Sequence, residues 1–470
     1  MERAPHPLDN FFKAQSVAVI GASTTPGKIG HEVLRSLVEY GYRGRVYPVN
    51  PRATEILGLK CYRTLTEIPD RVDLAVFTIA STLAPDIMEE CGNKGVRNVV
   101  IISGGFKELG GAYRELEERM VATAKRYGIR IIGPNCIGVY DSTTKLDTFF
   151  QSKERMARPS PGPVAFLTQS GTFGCSMIEW LAESGIGVSK LVSYGNRCDV
   201  DEADLIRYLA EDPATTVISI YIEGLGDGRK FFETARNVAP RKPILVLKSG
   251  RTERGAVAAK SHTGWLAGSY NVHSAAFKQA GIVSASNFEE LFDITKVAVL
   301  QPPPRGNRIA MVTNGAGPCV MAADESAKYG VEPANYESKT YDELKSKLSP
   351  FCVIGNPVDL TGSATSQDYK IAIDALLRDG NVDVIMPFFV FQDTPLDEGI
   401  VEVIAQSNNR GKPIICCASG GEYTRKMSSL IESRGIPVYP IPERAIVAVQ
   451  TLVRLGQFRG ASRSSGMPTQ

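Results

Sequence analysis

Val-Ala-Phe-Leu-Thr-Gln-Ser-Gly-Thr-Phe-Gly (164–174) and Ile-Ala-Met-Val-Thr-Asn-Gly-Ala-Gly-Pro (309–318) are two versions of one pattern. Each is a short apolar run, read as a strand buried on both faces, broken by a turn of small residues. Thr168 to Gly185 and Thr313 to Gly330 are equally spaced, which predicts a helix of the same length after each turn. Two more correspondences follow in the same order. Gly195-Asn196-Arg197-Cys198-Asp199-Val200 answers to Gly355-Asn356-Pro357-Val358-Asp359-Leu360. Lys242-Pro-Ile-Leu-Val-Leu-Lys-Ser-Gly250 answers to Lys412-Pro-Ile-Ile-Cys-Cys-Ala-Ser-Gly420. Three motifs in one order make an internal duplication. Strands alternating with helices require a parallel sheet covered on both faces, so each copy is read as a flavodoxin-like α/β domain.

The copies differ where chemistry would sit. From Gly420 to Gly435 the later copy is 16 residues shorter than the earlier one from Gly250 to Gly281. What it lacks is a loop of small residues that ends in Ser261-His262-Thr263-Gly264. Neutral imidazole is a nucleophile near pH 7, so His262 on such a loop could carry a phosphoryl group between two sites. The plainer alternative is an exposed histidine on a surface loop. The strand Val-Ile-Ser-Ile-Tyr-Ile (217–222) ends in Glu223, whereas Val-Ile-Met-Pro-Phe-Phe (384–389) runs into Val390. A carboxylate there could accept the Nδ1–H of His262 and fix its tautomer; otherwise Glu223 is a surface acid after a strand. The two turns, Gln169-Ser170-Gly171-Thr172 and Asn314-Gly315-Ala316-Gly317, offer bare N–H groups at a helix start, where anions bind. Facing one another, they could grip a single phosphoryl group.

Ahead of the duplication, Ser-Val-Ala-Val-Ile-Gly-Ala-Ser-Thr-Thr-Pro-Gly-Lys-Ile-Gly (16–30) reads as a strand, a turn and a helix from about Ile29. Gly21, Ala22, Ser23, Thr24, Thr25, Pro26, Gly27 and Lys28 are read as the phosphate-binding first turn of a nucleotide-type unit, the plainer alternative being a Gly-rich turn that serves only packing. A Walker loop is excluded by five residues between the glycines and by Ile29 after the lysine. An NAD site wants an acid after the second strand, but Arg-Val-Tyr-Pro-Val-Asn-Pro (45–51) ends in Asn50-Pro51 and basic Arg52. That suits a ligand with additional phosphate. Further strands are predicted at 73–79, 98–102 and 130–132, with tips at Ile79, Ile102-Ser103-Gly104 and Gly133-Pro134-Asn135. The segment is a doubly wound, Rossmann-like domain whose ligand crevice lies at those tips. The expected domains are 1–150, 151–300 and 301–470, the last two joined by Gln-Pro-Pro-Pro-Arg-Gly (301–306).

Bulk properties agree with about three domains for 470 residues. A net charge of +2 without a basic run argues against nucleic acid or a membrane surface as partner. No apolar run approaches the roughly 18–20 residues that span a bilayer, and the N-terminus lacks a signal-peptide layout. Nine cysteines without C-x-x-C spacing fit free thiols in a reducing cytosol, neither a disulfide framework nor a metal site.

Together these residues make the chain resemble the α subunit of ADP-forming acyl-CoA (acetyl-CoA) synthetases, in the succinyl-CoA synthetase superfamily. The resemblance rests on Val-Ile-Gly-Ala-Ser with Pro-Gly-Lys-Ile-Gly, on Gly-Pro-Asn-Cys-Ile-Gly (133–138), Thr-Gln-Ser-Gly (168–171), Ser-His-Thr-Gly (261–264) and Asn-Gly-Ala-Gly (314–317). It implies a CoA-binding first domain followed by two succinyl-CoA synthetase-like domains. It also implies that acyl-CoA, phosphate and ADP become acid, CoA and ATP, with His262 phosphorylated and Glu223 holding its ring. CoA would run along Gly21–Lys28, with Arg52 near its phosphates and Ile79, Ile102, Ser103, Gly104 and Asn135 along the rest. The chain departs from the family at Arg52, where lysine is common, and at Thr78-Ile79-Ala80, where Val-Pro-Ala is frequent. An ATP-grasp β subunit is implied as partner, in an α2β2 assembly, with Mg²⁺ and ADP or ATP bound there. The alternatives are a CoA-binding regulatory protein without chemistry and, less favoured because of Asn50, an NAD-dependent oxidoreductase.

Overall fold

The computed structural model describes residues 6–255, 257, 269–408 and 410–464. The chain divides into two compact units, Met1–Ser286 and Asn287–Gln470. The first unit holds two main sheets and the second holds one.

All three sheets repeat one strand order. In the first, Arg45–Val49, Ser16–Ile20, Leu74–Phe77, Asn98–Ile101 and Arg130–Ile132 lie side by side and parallel. In the second, the parallel strands run Val283–Ala285, Ile244–Lys248, Val217–Ile222, Pro161–Thr168, Val188–Ser193. The third runs Val438–Tyr439, Cys416–Ala418, Val384–Phe389, Arg308–Thr313, Glu332–Pro333, with Val358–Asp359 also paired to Arg308–Thr313. Counted within each sheet this is the doubly wound order 2-1-3-4-5, which puts a crevice at the strand C-termini beside the first strand. Every residue of Ser16–Ile20, Ile244–Lys248 and Val384–Phe389 is buried. With helices on both faces, such strands lose the alternation of a half-exposed sheet and read as unbroken apolar runs.

The duplication extends to individual hydrogen bonds. Helices Gly171–Glu183 and Gly317–Tyr329 are each 13 residues long. Thr168 Oγ1 donates to Ser170 O at 2.7 Å, and Thr313 Oγ1 donates to Gly315 O at 2.8 Å. Each threonine thereby turns the chain from strand into helix.

Two features bind the sheets of the first unit together. Gly138–Asp141, the strand that ends the first domain, adds antiparallel to Val188–Ser193 at the edge of the second sheet. On the other side, Asp199 accepts from Arg130 Nε and Ile131 N, both at 2.8 Å, and Asp204 accepts from Arg130 at 3.0 Å. The helix Phe288–Leu300, which ends the 151–300 segment in the sequence reading, packs within the second unit. There Lys296 reaches Glu432 at 2.7 Å and Arg444 grips Asp293 at 2.6 and 2.7 Å.

Candidate active site

The strand tips of both sheets in the first unit open onto one cavity of about 560 Å³. From the first sheet come Ile102, Ser103 and Gly104, then Asn135, Cys136 and Ile137, with Ile29 from the start of the helix Ile29–Glu39. Gln169, Ser170, Gly171, Thr172, Cys175 and Ser176 line the facing side. Gly195, Asn196, Phe150 and Gln151 complete the lining. Thus Ile102, Ser103, Gly104 and Asn135 share a cavity with Gln169–Thr172. None of the lining residues is an acid or a base.

The first turn, Gly21 to Lys28, lies at the same edge of the first sheet but beyond that lining. Buried His31 bonds Ser23 O through Nδ1 at 2.9 Å, and Asn50 Nδ2 donates to Ala22 O at 2.7 Å. Asn50 therefore shapes the turn, while its Oδ1 accepts from Arg52 N at 2.8 Å. Thr24, Thr25, Pro26, Gly27, Lys28 and Arg52 are exposed, and Ile79 is half-buried beside Gly21. Gly27 reaches a second cavity of about 510 Å³, which shares Phe150, Gln151 and Cys175 with the first. An open turn leading into a helix start suits a phosphate-bearing ligand whose tail continues toward the cavity.

The cavity floor is held from several directions. Asn135, in the left-handed region at φ 58°, donates its N–H to Ser103 O at 2.9 Å. Ile137 N donates to Ser193 Oγ at 3.2 Å, and Asn196 N donates to Pro134 O at 2.9 Å. A Cβ on Gly195 would stand 2.3 Å from the carbonyl oxygens of Pro134 and Asn135, so no larger residue fits there. Glu108 accepts from Asn196 Nδ2 at 2.5 Å and from the N–H groups of Gly105 and Phe106. Burial pushes its carboxyl toward the neutral form, but these bonds outweigh burial and hold it below the ordinary range. Cys136 donates its S–H to Ile101 O at 3.3 Å, and burial pushes its thiol up to about 12. It stays protonated and does not compete as a nucleophile.

At the helix start, Ser170 Oγ caps Phe173 N at 3.3 Å. The N–H groups of Gly171 and Thr172 precede the first intrahelical bond and point out of the helix end. Gln169 uses its side chain differently: Oε1 accepts from Glu223 N at 2.5 Å and Gly224 N at 3.1 Å. Its counterpart Asn314 accepts from Val390 N at 2.9 Å and donates to Val390 O at 3.0 Å. Both amides fasten the end of the neighbouring strand. Asn314, Gly315, Ala316 and Gly317 belong to the second unit, where Gly315 N donates to Thr313 Oγ1 at 2.9 Å.

Glu223 is only 9% exposed at the tip of its strand. Lys248, 2% exposed, donates through Nζ to Glu223 O at 2.7 Å. Burial lowers the Lys248 pKa, and the nearby Glu223 carboxylate opposes that shift. Arg197 donates to Glu202 at 3.1 Å and to the carbonyl of Gly224, underpinning the turn after Glu223. Burial raises the Tyr221 phenol, with Glu223 adding to the rise and Ser249 opposing it. Sequence reasoning missed Arg197 and Lys248 although its own pairing of the copies exposes them. Pro357, Val390 and Ala418 stand where the earlier copy has Arg197, Glu223 and Lys248. His262 lies outside the described residues.

Among the described residues no cluster of histidine, cysteine or acidic side chains could hold a metal ion. No helix among them is long and apolar enough to cross a membrane.

Models of three families match in chain order: a CoA binding domain at 15–142, a succinyl-CoA ligase-like flavodoxin domain at 161–298, and a ligase-CoA domain at 309–464. This set, with the shared cavity, defines a CoA-ligase chain. The chain is 42% identical to the α subunit of ADP-forming acetate–CoA ligase II of Pyrococcus furiosus, over 95% of its own length and 97% of the relative's. It is 41% identical to the isoenzyme I α subunit of that organism, over 96% and 98%. A solved structure of a Candidatus Korarchaeum cryptofilum acetyl-coenzyme A synthetase, in complex with phosphate and ADP, superimposes with a TM-score of 0.91 at 38% identity, covering 98% of this chain and 99% of that one. The chain belongs to the family of ADP-forming acetate–CoA ligase α subunits and is of the ligase class. Against the ADP-forming acetate–CoA ligase I of Archaeoglobus fulgidus, 41% identical, it covers 65% of the relative's length.

Proposed function

We propose that the chain, with an ATP-grasp β subunit, converts acyl-CoA, phosphate and ADP into the free acid, CoA and ATP through an acyl phosphate and a phosphohistidine. The reading is carried by the cavity in which the tips of the CoA-binding domain meet the helix start at Gly171. In it, CoA lies along Gly21–Lys28 and Arg52, and its thioester end passes Ile79, Ile102, Ser103, Gly104 and Asn135. Phosphate sits on the N–H groups of Gly171 and Thr172, where the helix end favours an anion without a buried cation. A phosphate oxygen attacks the thioester carbonyl, the C–S bond breaks and the CoA thiolate leaves. His262 Nε2 then attacks phosphorus, the acyl P–O bond breaks and the carboxylate departs. Glu223 orients the imidazole and offsets the charge that develops on it. The helix start at Asn314–Gly317 offers a second anion cradle, and Mg²⁺ and ADP are handled by the β subunit in an α2β2 assembly.

The test uses the chain with and without its β subunit. With acyl-CoA, phosphate and Mg²⁺, the chain should acquire an acid-labile phosphoryl group that His262→Ala abolishes. ATP should form only when the partner is added. Full turnover by His262→Ala, or ATP made by this chain alone, would overturn the proposal.

A further inference from the structure

The large apolar side chains that line the cavity are Ile29, Ile102, Ile137 and Phe150. Ile137 lies directly against the helix start. A Cβ placed on Gly171 would stand 2.9 Å from Ile137 Cγ2, and one on Gly174 would stand 3.6 Å from its Cδ1. The side chain is 6% exposed, and what remains accessible lines the cavity. Its backbone does not give easily. Ile137 N is tied to Ser193, Cys136 to Ile101 and Asn135 to Ser103. The next strand is paired with Val188–Ser193. A wall fixed from both sides imposes its shape on a ligand, because enlarging the space would require repacking two sheets.

We propose that Ile137 sets the size of the acyl group. The inference rests on the reaction course proposed above. With phosphate on the Gly171 and Thr172 N–H groups, the carbonyl carbon must come within bonding reach of a phosphate oxygen. The group attached to that carbon then extends beside the side chain that covers Gly171. Ile137 limits this space to a small, uncharged acyl chain, and no lining residue offers a cation to a second carboxylate. The residue acts on specificity by shape and takes part in no bond change.

The experiment compares the holoenzyme and its Ile137→Ala and Ile137→Val variants on acetyl-CoA, isobutyryl-CoA and phenylacetyl-CoA. The readout is the kcat/KM of each bulky substrate divided by that for acetyl-CoA. A pocket methylene typically changes discrimination by about 10–200-fold. Ile137→Ala should raise the bulky-to-acetyl ratios by an amount in that range, with a smaller rise in the same direction for Ile137→Val. Should Ile137→Ala fail to fold, Ile137→Val carries the test. If the wild type is active and both folded variants keep its ratios, the inference falls and the reaction course stands. Equal losses on all three substrates also refute it, since they indicate a structural role only. A wild-type holoenzyme inactive on every acyl-CoA would overturn the reaction course and this inference with it.

Discussion

At Glu223 a strand ends in a buried carboxylate where its duplicate ends in Val390, and two further charges accompany it. Burying charge is costly unless hydrogen bonds or an opposite charge compensate, so Arg197, Glu223 and Lys248 argue for a local demand for charge that the later copy lacks. Glu223→Gln keeps a hydrogen-bond acceptor and removes the charge, separating orientation from electrostatics. The loss of a residue that orients a histidine typically costs about 10–100-fold. We expect Glu223→Gln to slow His262 phosphorylation by at least that factor while CoA affinity stays at the wild-type value, because the CoA-binding domain is elsewhere. Rapid-quench phosphorylation and calorimetric CoA titration measure the two quantities. Wild-type phosphorylation kinetics would refute the role. Glu223 stood out in the sequence because the duplication supplied an internal control, and no such control exists for Glu108. Its bonds from Gly105 and Phe106 are local to one turn, and its partner Asn196 arrives only once the two sheets are in contact.

At the scale of the element, the helix Gly171–Glu183 joins capping, anion binding and close packing in one turn. Gly171 is needed for closeness: a methyl there would press on Ile137 Cγ2 at 2.9 Å. Overpacking of this kind costs about 1–3 kcal/mol. Each kcal/mol lowers Tm by about 2–4 °C in domains of 150–250 residues. Gly171→Ala should therefore melt several degrees lower and lose activity, and differential scanning calorimetry of the chain decides the first point. An unchanged Tm would mean that Ile137 can move aside, which would also weaken its role as a wall. The equal lengths of this helix and Gly317–Tyr329 were readable from glycine spacing, since helix length follows directly from sequence distance. The strand Gly138–Asp141 was not: four residues of Gly-Val-Tyr-Asp carry no mark of the sheet they will join.

Taken as a whole, the chain concentrates its described cavity within Met1–Ser286, with every lining residue on that side of the division. A fragment ending at Ser286 should therefore fold and bind CoA as tightly as the full chain, although it lacks the Asn314–Gly317 turn and should not support turnover. A fragment that fails to bind CoA by calorimetry, or that shows no cooperative unfolding, would refute this. Three parallel sheets were within reach of sequence reasoning, because alternating strands and helices require a parallel sheet, whereas the shared order 2-1-3-4-5 was not, since alternation fits either common doubly wound order. The packing of Phe288–Leu300 within the second unit was not, since a buried amphipathic helix between two similar domains carries no statement of which sheet it will cover.

The antiparallel strand Gly138–Asp141 has a consequence for how such chains recombine. The CoA binding match ends at residue 142 and the next begins at 161, so by those bounds alone a genetic crossover between them would swap a self-contained cassette. It would instead exchange the strand that covers the edge of Val188–Ser193, and an incoming strand with a poorer fit would leave that edge open to other chains. Chimaeras that inherit both sheets of the first unit from one parent keep the seam native, and those spliced at the connector carry a hybrid seam in their interior.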